Sequence, residues 1–250
     1  MTDRIKQFER EKSVRIKKNG TDKKLKYFAN KWSQESLIKK YVYNFAWLGR
    51  PIIQCPQDIV AMQEIIWSVK PDIIIETGIA HGGSLIFNAS MLTLLEICGE
   101  IKKGQVLGID IDIRQHNKLA IKSHPMNKKI TMLQGSSLDK KIIDKVYNFA
   151  NKGKKILVCL DSNHTHEHVL SELKVYAPLV SIGSYCVVFD TIVEDMPKDS
   201  FPNRPWNKGN NPKTALKEYL ENHPEFEIDR SIFDKLLITS APEGYLKKIF

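Results

Sequence analysis

The chain has 250 residues and a net charge of +9, with 42% hydrophobic and 27% charged residues. This composition is typical of a soluble globular protein, and no apolar run approaches the roughly 20 residues that cross a bilayer. Because the amino terminus lacks the apolar core of a signal peptide, we expect a cytoplasmic protein built from one sizeable domain and a terminal extension.

The positive charge is concentrated in residues 1–40, which contain 13 Lys and Arg against 5 Asp and Glu, whereas the other residues have a net charge of about +1. Sparse apolar residues predict one or two exposed amphipathic helices there, with a break at Asn19-Gly20. We therefore predict a basic helical arm over residues 1–40. The arm can be a solvated face or an oligomer contact, attract anionic lipid or acidic glycan, or bind nucleic acid. No nucleic-acid motif supports the last role, so we expect no nucleic-acid partner, and we expect a homo-oligomer.

The main domain is predicted to cover residues 41–250. Residues 35–47 predict a helix, which the Gly and Pro of residues 48–51 end. A loop follows, and Asp58 is predicted to cap a helix over residues 59–69. The four cysteines are far apart without a C-x-x-C pair, so we expect reduced thiols in the core.

Residues 73–84 predict a buried strand, a glycine-rich turn and the start of a helix. Three branched apolar residues precede Glu76, and the turn contains Gly78, Gly82 and Gly83. This spacing differs from the dinucleotide motif and from a P-loop, so a nucleoside ligand without pyrophosphate fits better. Glycine allows a sharp turn and leaves room for a ligand, although such turns also occur for structural reasons alone. An acid followed by a glycine-rich turn is the feature with which Rossmann-like methyltransferases hold S-adenosylmethionine.

Further strands are predicted along the chain, most of them ending in an acid. They cover residues 105–110, 130–134, 155–161, 183–190, 226–229 and 236–240. Helical segments over residues 138–152 and 167–176 separate some of them, which predicts a doubly wound parallel sheet. The last two strands predict an antiparallel hairpin that completes the sheet.

Because parallel strands open at one edge, Glu76, Asp110, Asp161 and Asp190 are expected to lie along the same crevice. Asp110 is positioned to accept both ribose hydroxyls of an adenosine, with a structural acid in a turn as the alternative. Ser136, after the third strand, can meet the adenine edge.

The segment after the fourth strand contains a second chemical cluster. Asp161 and Asp190 are one crossover apart and can bind a hard divalent cation. His164 is the best general base, because an imidazole pKa near about 6.5 suits neutral pH. A zinc or iron site is disfavoured, since no metal motif with two histidines and one carboxylate is present. We expect His168 to pack and His166 to lie on the solvated surface.

Several blocks of the chain resemble the cephalosporin hydroxylase family. They cover residues 47–54, 75–87, 108–114, 160–164, 168–170, 172–180, 209–212 and 235–245. The resemblance runs from about Tyr41 to the carboxyl terminus and leaves out only the basic arm.

The resemblance implies an α/β fold of the Rossmann-like class I methyltransferase type: a mostly parallel seven-stranded sheet with helices on both faces. It implies cofactor contacts at Glu76, Gly78, His81, Gly82, Gly83, Ser84, Asp110, Ser136 and Asp161. It also implies magnesium ligands at Asp161 and Asp190. One departure concerns the metal, because Phe189 replaces a family glutamate and cannot bind a cation. Glu194 and Asp195 can substitute from the following loop.

We therefore expect an S-adenosylmethionine-dependent O-methyltransferase that acts on a hydroxyl of a sugar, glycan or secondary metabolite. His164 and Asp161 are the predicted catalytic residues, and the loops over residues 47–57 and 191–212 are expected to face the substrate. Trp206 can stack on a sugar or pack against the body. The alternatives are a non-catalytic nucleoside-binding scaffold and, as the family name suggests, a hydroxylase.

Overall fold

The computed structural model describes residues 3–250. The helices are α1 (Asp3–Thr21), α2 (Lys23–Ile38), α3 (Pro56–Val69), α4 (Gly83–Ile97), α5 (Gln115–Ser123), α6 (Lys140–Ala150), α7 (His166–Tyr176), α8 (Pro212–Glu221) and α9 (Arg230–Leu236). The strands are β1 (Phe45–Trp47), β2 (Arg50–Ile52), β3 (Ile73–Thr77), β4 (Gln105–Asp110), β5 (Ile130–Gln134), β6 (Ile156–Leu160), β7 (Tyr185–Val188), β8 (Phe226–Ile228) and β9 (Tyr245–Lys248). No helix within this range is both long and apolar enough to cross a membrane.

One mixed sheet organises the domain. Its seven strands lie in the order β5-β4-β3-β6-β7-β9-β8, and β9 runs antiparallel to both of its neighbours. The other pairings are parallel. This topology confirms the predicted fold class, including the antiparallel strands at the carboxyl end of the chain. Strands β1 and β2 form a separate small hairpin.

Strand β3 lies at the centre of the sheet, and all five of its residues are buried. Because side chains alternate along a strand, Ile74 packs into the core under α3 and α4, whereas Ile73 and Ile75 pack into the core under α6, α7 and α8. Helices therefore cover both faces, and a continuous apolar run is what a strand at this position requires.

The amino-terminal segment forms two helices, but the break falls at Asp22 and not at Asn19-Gly20. The Asp22 side chain accepts a hydrogen bond from the Leu25 N–H and so caps α2. A capping residue decides the boundary here, since Gly20 remains helical. Helix α1 packs on α9 and contains no buried residue.

The predicted helix over residues 35–47 is wrong beyond Ile38. Helix α2 ends there, Lys40 adopts a left-handed φ of 57°, and a short 3-10 turn leads into β1. The Trp47 indole then donates a hydrogen bond of 3.0 Å to Ser90 on α4. Tertiary contacts of the β1–β2 hairpin thus override the local helical pattern.

The carboxyl-terminal hairpin uses a different second strand from the one predicted. Residues 236–240 are not a strand, because α9 occupies residues 230–236 and Leu237 follows with a φ of 61°. The second strand is β9, in which Tyr245 and Leu246 are buried. Among the cysteines, Cys98 is exposed at the end of α4, contrary to the predicted core position, and all four thiols are free.

Asp58 is buried within α3 and does not cap the helix, contrary to the prediction. The residue at the N-cap of α3 is Cys55. The Asp58 carboxylate accepts hydrogen bonds from the Ser240 N–H at 2.8 Å, the Ser240 hydroxyl at 2.9 Å and the Tyr245 hydroxyl at 2.7 Å, and also from Thr239. Burial raises the pKa of Asp58, and these donors lower it in part. The side chain thereby joins α3 to the carboxyl-terminal segment.

We expect Asp58→Ala to lower the free energy of unfolding by about 2–4 kcal/mol, because it leaves buried donors without an acceptor. Chemical denaturation measures the change. Glu64→Ala is the matched control on the same helix, since Glu64 is half exposed and forms a surface ion pair with Lys235; we expect a loss below about 1 kcal/mol. Equal losses for the two variants would show that the Asp58 contacts contribute nothing specific.

Candidate active site

The carboxyl ends of β3, β4, β6 and β7 meet at one edge of the sheet. Two clefts open there, and Gly78 lines both. The first cleft has a volume of about 480 Å³, and its lining includes Asp110, Ile111, Ser136, Ser137, Ser162 and His168. The second has a volume of about 330 Å³, and its lining includes Gln54, Ala80, His81, Gly83, Ser84 and Asp161. Most of the predicted site residues are therefore brought together around one turn.

Gly78 begins this turn with a φ of 89°, a conformation that favours glycine. A Cβ atom at this position would lie 1.9 Å from the Asp161 carbonyl oxygen. The ends of β3 and β6 are held this close because the Asp161 N–H donates to the Thr77 carbonyl, while the Gly78 N–H donates to the Ile109 carbonyl and joins the turn to β4. Gly78 thus packs the ends of β3 and β6 together.

Gly83 serves the same purpose at the start of α4. An added Cβ would lie 2.2 Å from the Pro51 carbonyl oxygen and 2.7 Å from the Ile52 Cα atom. The glycine-rich sequence predicted that these residues leave room for a ligand. At Gly78 and Gly83 the protein's own backbone occupies that room instead. Gly82 is buried against Ile121, while His81 and Ser84 are partly exposed in the second cleft.

Asp110 braces the glycine-rich turn. One carboxylate oxygen accepts hydrogen bonds from the Ile79 N–H at 2.8 Å and the Ala80 N–H at 3.2 Å. The other oxygen accepts from the Asp112 N–H at 3.0 Å and keeps acceptor capacity toward the first cleft. The turn is also held by Arg50, which donates to the His81 carbonyl, and by Asn117, which donates to the Ala80 carbonyl.

Glu76 lies beneath the turn. It accepts hydrogen bonds from Ser84 and, at 2.8 Å, from Asn88, and only 3% of it is exposed. Burial raises the pKa of Glu76 to about 8, the Ser84 hydrogen bond lowers it, and the charge of Asp161 adds to the rise. Glu76 does not line either cleft, so its contacts in this structure fix the first turn of α4.

His168 and its polar neighbours lie at the first cleft, an arrangement that the sequence did not predict. The His168 Nε2 atom lies 3.2 Å from the Ser137 hydroxyl, 3.2 Å from the Ser162 hydroxyl and 3.4 Å from the buried carboxylate of Glu172. His168 therefore packs, as predicted, but it also lines the cleft beside Ser136. The sequence signal for this contact is the spacing of four residues between His168 and Glu172, which places both side chains on one face of α7.

His164 lies between the two predicted metal ligands. Its Nδ1 atom is 3.0 Å from an Asp190 carboxylate oxygen, and its Nε2 atom is 3.6 Å from an Asp161 oxygen. Burial lowers the pKa of His164, but the charge of Asp190 and the contact with Asp161 raise it further, so the net shift is upward. Burial raises the pKa of Asp161 to about 7, with His164 opposing and Asp190 adding to the rise.

The three side chains also form a donor set that fits a divalent cation. One ligand atom each from Asp161, His164 and Asp190 lie within 4.8 Å of one another. The two carboxylates suit magnesium or manganese, with water completing the shell. His164 was not predicted as a member of this set. Asp190 contributes its carboxylate to this set from a left-handed backbone conformation with a φ of 55°, which is uncommon for residues other than glycine.

The predicted substitutes for a third carboxylate ligand do not reach this cluster. Glu194 accepts hydrogen bonds from the Gly209 N–H and the Asn211 amide, and Asp195 pairs with Lys213. Phe189 directly follows β7 and is buried in the core under α3 and α4. It shares this face of the sheet with Val187, because successive residues along a strand point to opposite faces. Asn211 caps α8, so its side chain has a structural role.

Aromatic and basic residues of the loop over residues 191–212 cover His164. The Trp206 ring lies 4.7 Å from the His164 ring at a tilt of 42°, and the Arg204 guanidinium lies 5.1 Å above the Trp206 ring. Trp206 thus packs on the His164 ring. His166 is not on the solvated surface as predicted, since it contacts Thr214 at 2.9 Å and Glu218 at 3.0 Å on α8.

Comparison with known proteins identifies the family. A profile described as Rhamnosyl O-methyltransferase/CmcI matches residues 39–249. The chain belongs to this family. A rhamnosyl O-methyltransferase of Mycobacterium tuberculosis is 30% identical over 219 residues, which cover 85% of this chain and 83% of the relative. The corresponding protein of Mycobacterium leprae is 29% identical and is covered to 89%.

Solved structures of this family and related ones share the fold. A CmcI structure with magnesium and S-adenosylmethionine superposes with a TM-score of 0.56 at 18% identity, over 83% of this chain and 78% of CmcI. An O-methyltransferase from Klebsiella pneumoniae gives 0.51 at 12% identity, over 80% of both chains. The resemblance found in the sequence is thereby confirmed. As a member of the rhamnosyl O-methyltransferase/CmcI family, the chain is an S-adenosylmethionine-dependent O-methyltransferase.

Proposed function

We propose that this methyltransferase transfers the methyl group of S-adenosylmethionine to a hydroxyl of a sugar or a glycosylated metabolite, with His164 as the general base. The observation that carries the proposal is the Asp161, His164 and Asp190 cluster, which stands beside the second cleft with Trp206 packed on the imidazole. The relatives named rhamnosyl O-methyltransferases support a sugar as acceptor.

The two clefts fit the two ends of the cofactor. The first offers Asp110 to ribose hydroxyls and Ser136 to the adenine edge. The second is lined by His81, Gly83 and Ser84 and leads to Asp161, so it fits the methionine end. We propose that Glu76 and Gly82 act indirectly, by holding the turn over which the cofactor lies.

S-adenosylmethionine, when bound, supplies a methyl group on a sulfonium that is already activated for transfer. The chain's residues must then align the acceptor hydroxyl and take its proton. Asp190 accepts the hydrogen bond of His164 Nδ1, which leaves Nε2 to accept that proton. Trp206 offers an aromatic face on which a sugar ring can stack next to this nitrogen.

Asp161 and Asp190 would hold a magnesium ion, with the His164 imidazole beside them. When bound, the ion supplies a Lewis acid that orients the hydroxyl and lowers its pKa. The missing family carboxylate at Phe189 leaves fewer protein ligands, so we expect weaker metal binding than a site with three carboxylates would give.

Calorimetric titration with S-adenosylmethionine and S-adenosylhomocysteine, with magnesium and then with chelator, tests the cofactor site. We expect Asp110→Ala to weaken binding at least about tenfold, because it removes an acceptor for the ribose and frees the turn. Asp112→Ala is the control two residues away, and it should change binding less than about twofold. Binding that survives Asp110→Ala unchanged would exclude this placement of the cofactor.

Formation of S-adenosylhomocysteine with p-nitrophenyl rhamnoside and related glycosides tests the acceptor class. Turnover of a glycoside, and its dependence on added magnesium, would support the proposal. Binding of the cofactor without methylation of any glycoside would direct the search to acceptors other than sugars.

We also propose that residues 1–40 form an arm that packs on the methyltransferase domain of residues 41–250 through α9, and that the arm contacts anionic lipid. Phe8, Val14, Tyr27 and Phe28 are each more than half exposed on α1 and α2, among many Lys and Arg side chains. Exposed aromatic rings beside basic residues suit an anionic membrane surface. Two copies of the same face would instead repel each other, so we place the contacts of a homo-oligomer outside this face.

We expect the protein to sediment with vesicles that contain anionic phospholipid and not with neutral vesicles. Phe28→Ser should reduce the bound fraction several-fold, because it removes an inserted ring. Ile182→Ser is the control, as Ile182 is equally exposed but lies outside the arm. Self-association of the protein that Phe28→Ser abolishes would assign this face to a second copy.

A further inference from the structure

Gln54 is a buried polar residue whose side-chain carbonyl has no hydrogen-bond partner among the described residues. Only 6% of it is exposed, and its Oε1 atom makes no hydrogen bond with the described residues. A buried amide oxygen without a hydrogen bond destabilises a fold, because the cost of removing it from water is not offset. Such an atom beside a cleft therefore points to a ligand that donates to it.

The position of Gln54 supports this interpretation. It lines the second cleft with Ser84 and Asp161, whereas the other buried oxygens without a partner belong to residues that line neither cleft. Gln54 lies between β2 and α3, and the Pro51–Ile52 backbone just before it packs against Gly83. The close approach at Gly83 thus fixes the segment that presents the amide.

The charges around the second cleft indicate what the donor is. Its lining includes the Asp161 carboxylate and no Lys or Arg. A neutral acceptor together with a carboxyl group suits a positively charged amine and disfavours a phosphate. The methionine end of the cofactor carries such an ammonium group.

We propose that Gln54 recognises the cofactor's amino group, with the Gln54 Oε1 atom accepting a hydrogen bond from it. The proposal rests on the proposed cofactor site and assigns the residue that distinguishes the intact amino-acid end from a truncated one. Gln54 has no part in the proton transfer.

Calorimetry with two ligands tests this role. S-adenosylhomocysteine has the amino-acid end, and 5′-methylthioadenosine lacks it. We expect Gln54→Leu to weaken S-adenosylhomocysteine binding about tenfold or more, because a hydrogen bond to a charged group is lost, and to change 5′-methylthioadenosine binding less than about twofold. Gln54→Glu should keep or increase the affinity for S-adenosylhomocysteine, since a carboxylate also accepts from an ammonium group.

The ligand-free variants separate recognition from folding. We expect the melting temperature of ligand-free Gln54→Leu to equal or exceed that of the wild type, because the variant removes an unpaired buried oxygen. Equal weakening of both ligands, or no weakening of either, would overturn the role of Gln54 while leaving the cofactor site intact. Failure of the wild type to bind either ligand would overturn the cofactor site and this proposal together.

Discussion

His164→Ala should lower the rate of methyl transfer by about 10²–10⁴-fold while S-adenosylhomocysteine affinity stays within about twofold. The first effect is the usual contribution of a positioned general base. The second follows because His164 lies beside Asp190 and Trp206 and lines neither cofactor cleft. Single-turnover kinetics and calorimetry measure the two quantities separately.

Added imidazole distinguishes a base from a structural residue in this variant. Removal of the ring leaves a space under Trp206 that imidazole can enter, so we expect partial recovery of the rate with rising imidazole concentration. His166→Ala is the matched control, because His166 contacts Thr214 and Glu218 on α8 and should leave the rate nearly unchanged.

The metal affinity of His164→Ala separates two roles for the imidazole. Manganese binding, followed by paramagnetic resonance, should remain in His164→Ala and be lost in Asp161→Asn if His164 is mainly a base. Loss of manganese from His164→Ala without recovery by imidazole would instead assign the ring to the metal shell.

Gly78→Ala should abolish measurable cofactor binding and lower the free energy of unfolding by about 3 kcal/mol or more. The added methyl group would meet the Asp161 carbonyl at 1.9 Å, so the ends of β3 and β6 must move apart. Both clefts include Gly78, and both should therefore be deformed. Calorimetry and chemical denaturation measure the two losses.

Gly183→Ala isolates the backbone part of this effect. Gly183 has a similar φ of 77°, but an added methyl group would have no neighbour within 4 Å, so only the left-handed conformation is penalised. We expect a loss of about 1–2 kcal/mol and normal cofactor binding. If Gly78→Ala were no worse than Gly183→Ala, close packing at the turn would not be what requires glycine.

The position of the site could be predicted from the sequence because several apolar runs, each predicted to form a strand, end in an acidic residue. Once β3, β4, β6 and β7 are parallel neighbours, Asp110, Asp161 and Asp190 must reach the same edge. The predicted strands through residue 190 agree with the structure to within about two residues at each end. Local pattern and topology agree in this part of the chain.

The remaining features depend on contacts between distant segments. Asp58 is of a residue type that favours the helix cap, yet its hydrogen-bond donors come from residues 239–245. Residues 236–240 have the apolar composition of a strand, but Thr239 and Ser240 bond to Asp58 instead. Gln54 lies in one of the blocks that resemble the family, but no sequence pattern singles it out, because the missing partner of its side-chain oxygen is visible only in the fold.

The placement of β9 between β7 and β8 constrains how the protein is made. Every strand of the sheet except β9 is synthesised earlier, and β8 has no neighbour in the sheet other than β9. The strands around the proposed cofactor site therefore leave the ribosome before β9 does. The edge of β7 that pairs with β9 stays unpaired until residues 245–248 emerge. A nascent chain stalled before Tyr245 should accordingly need a chaperone to protect that edge, although all four strands that form the site have already been translated.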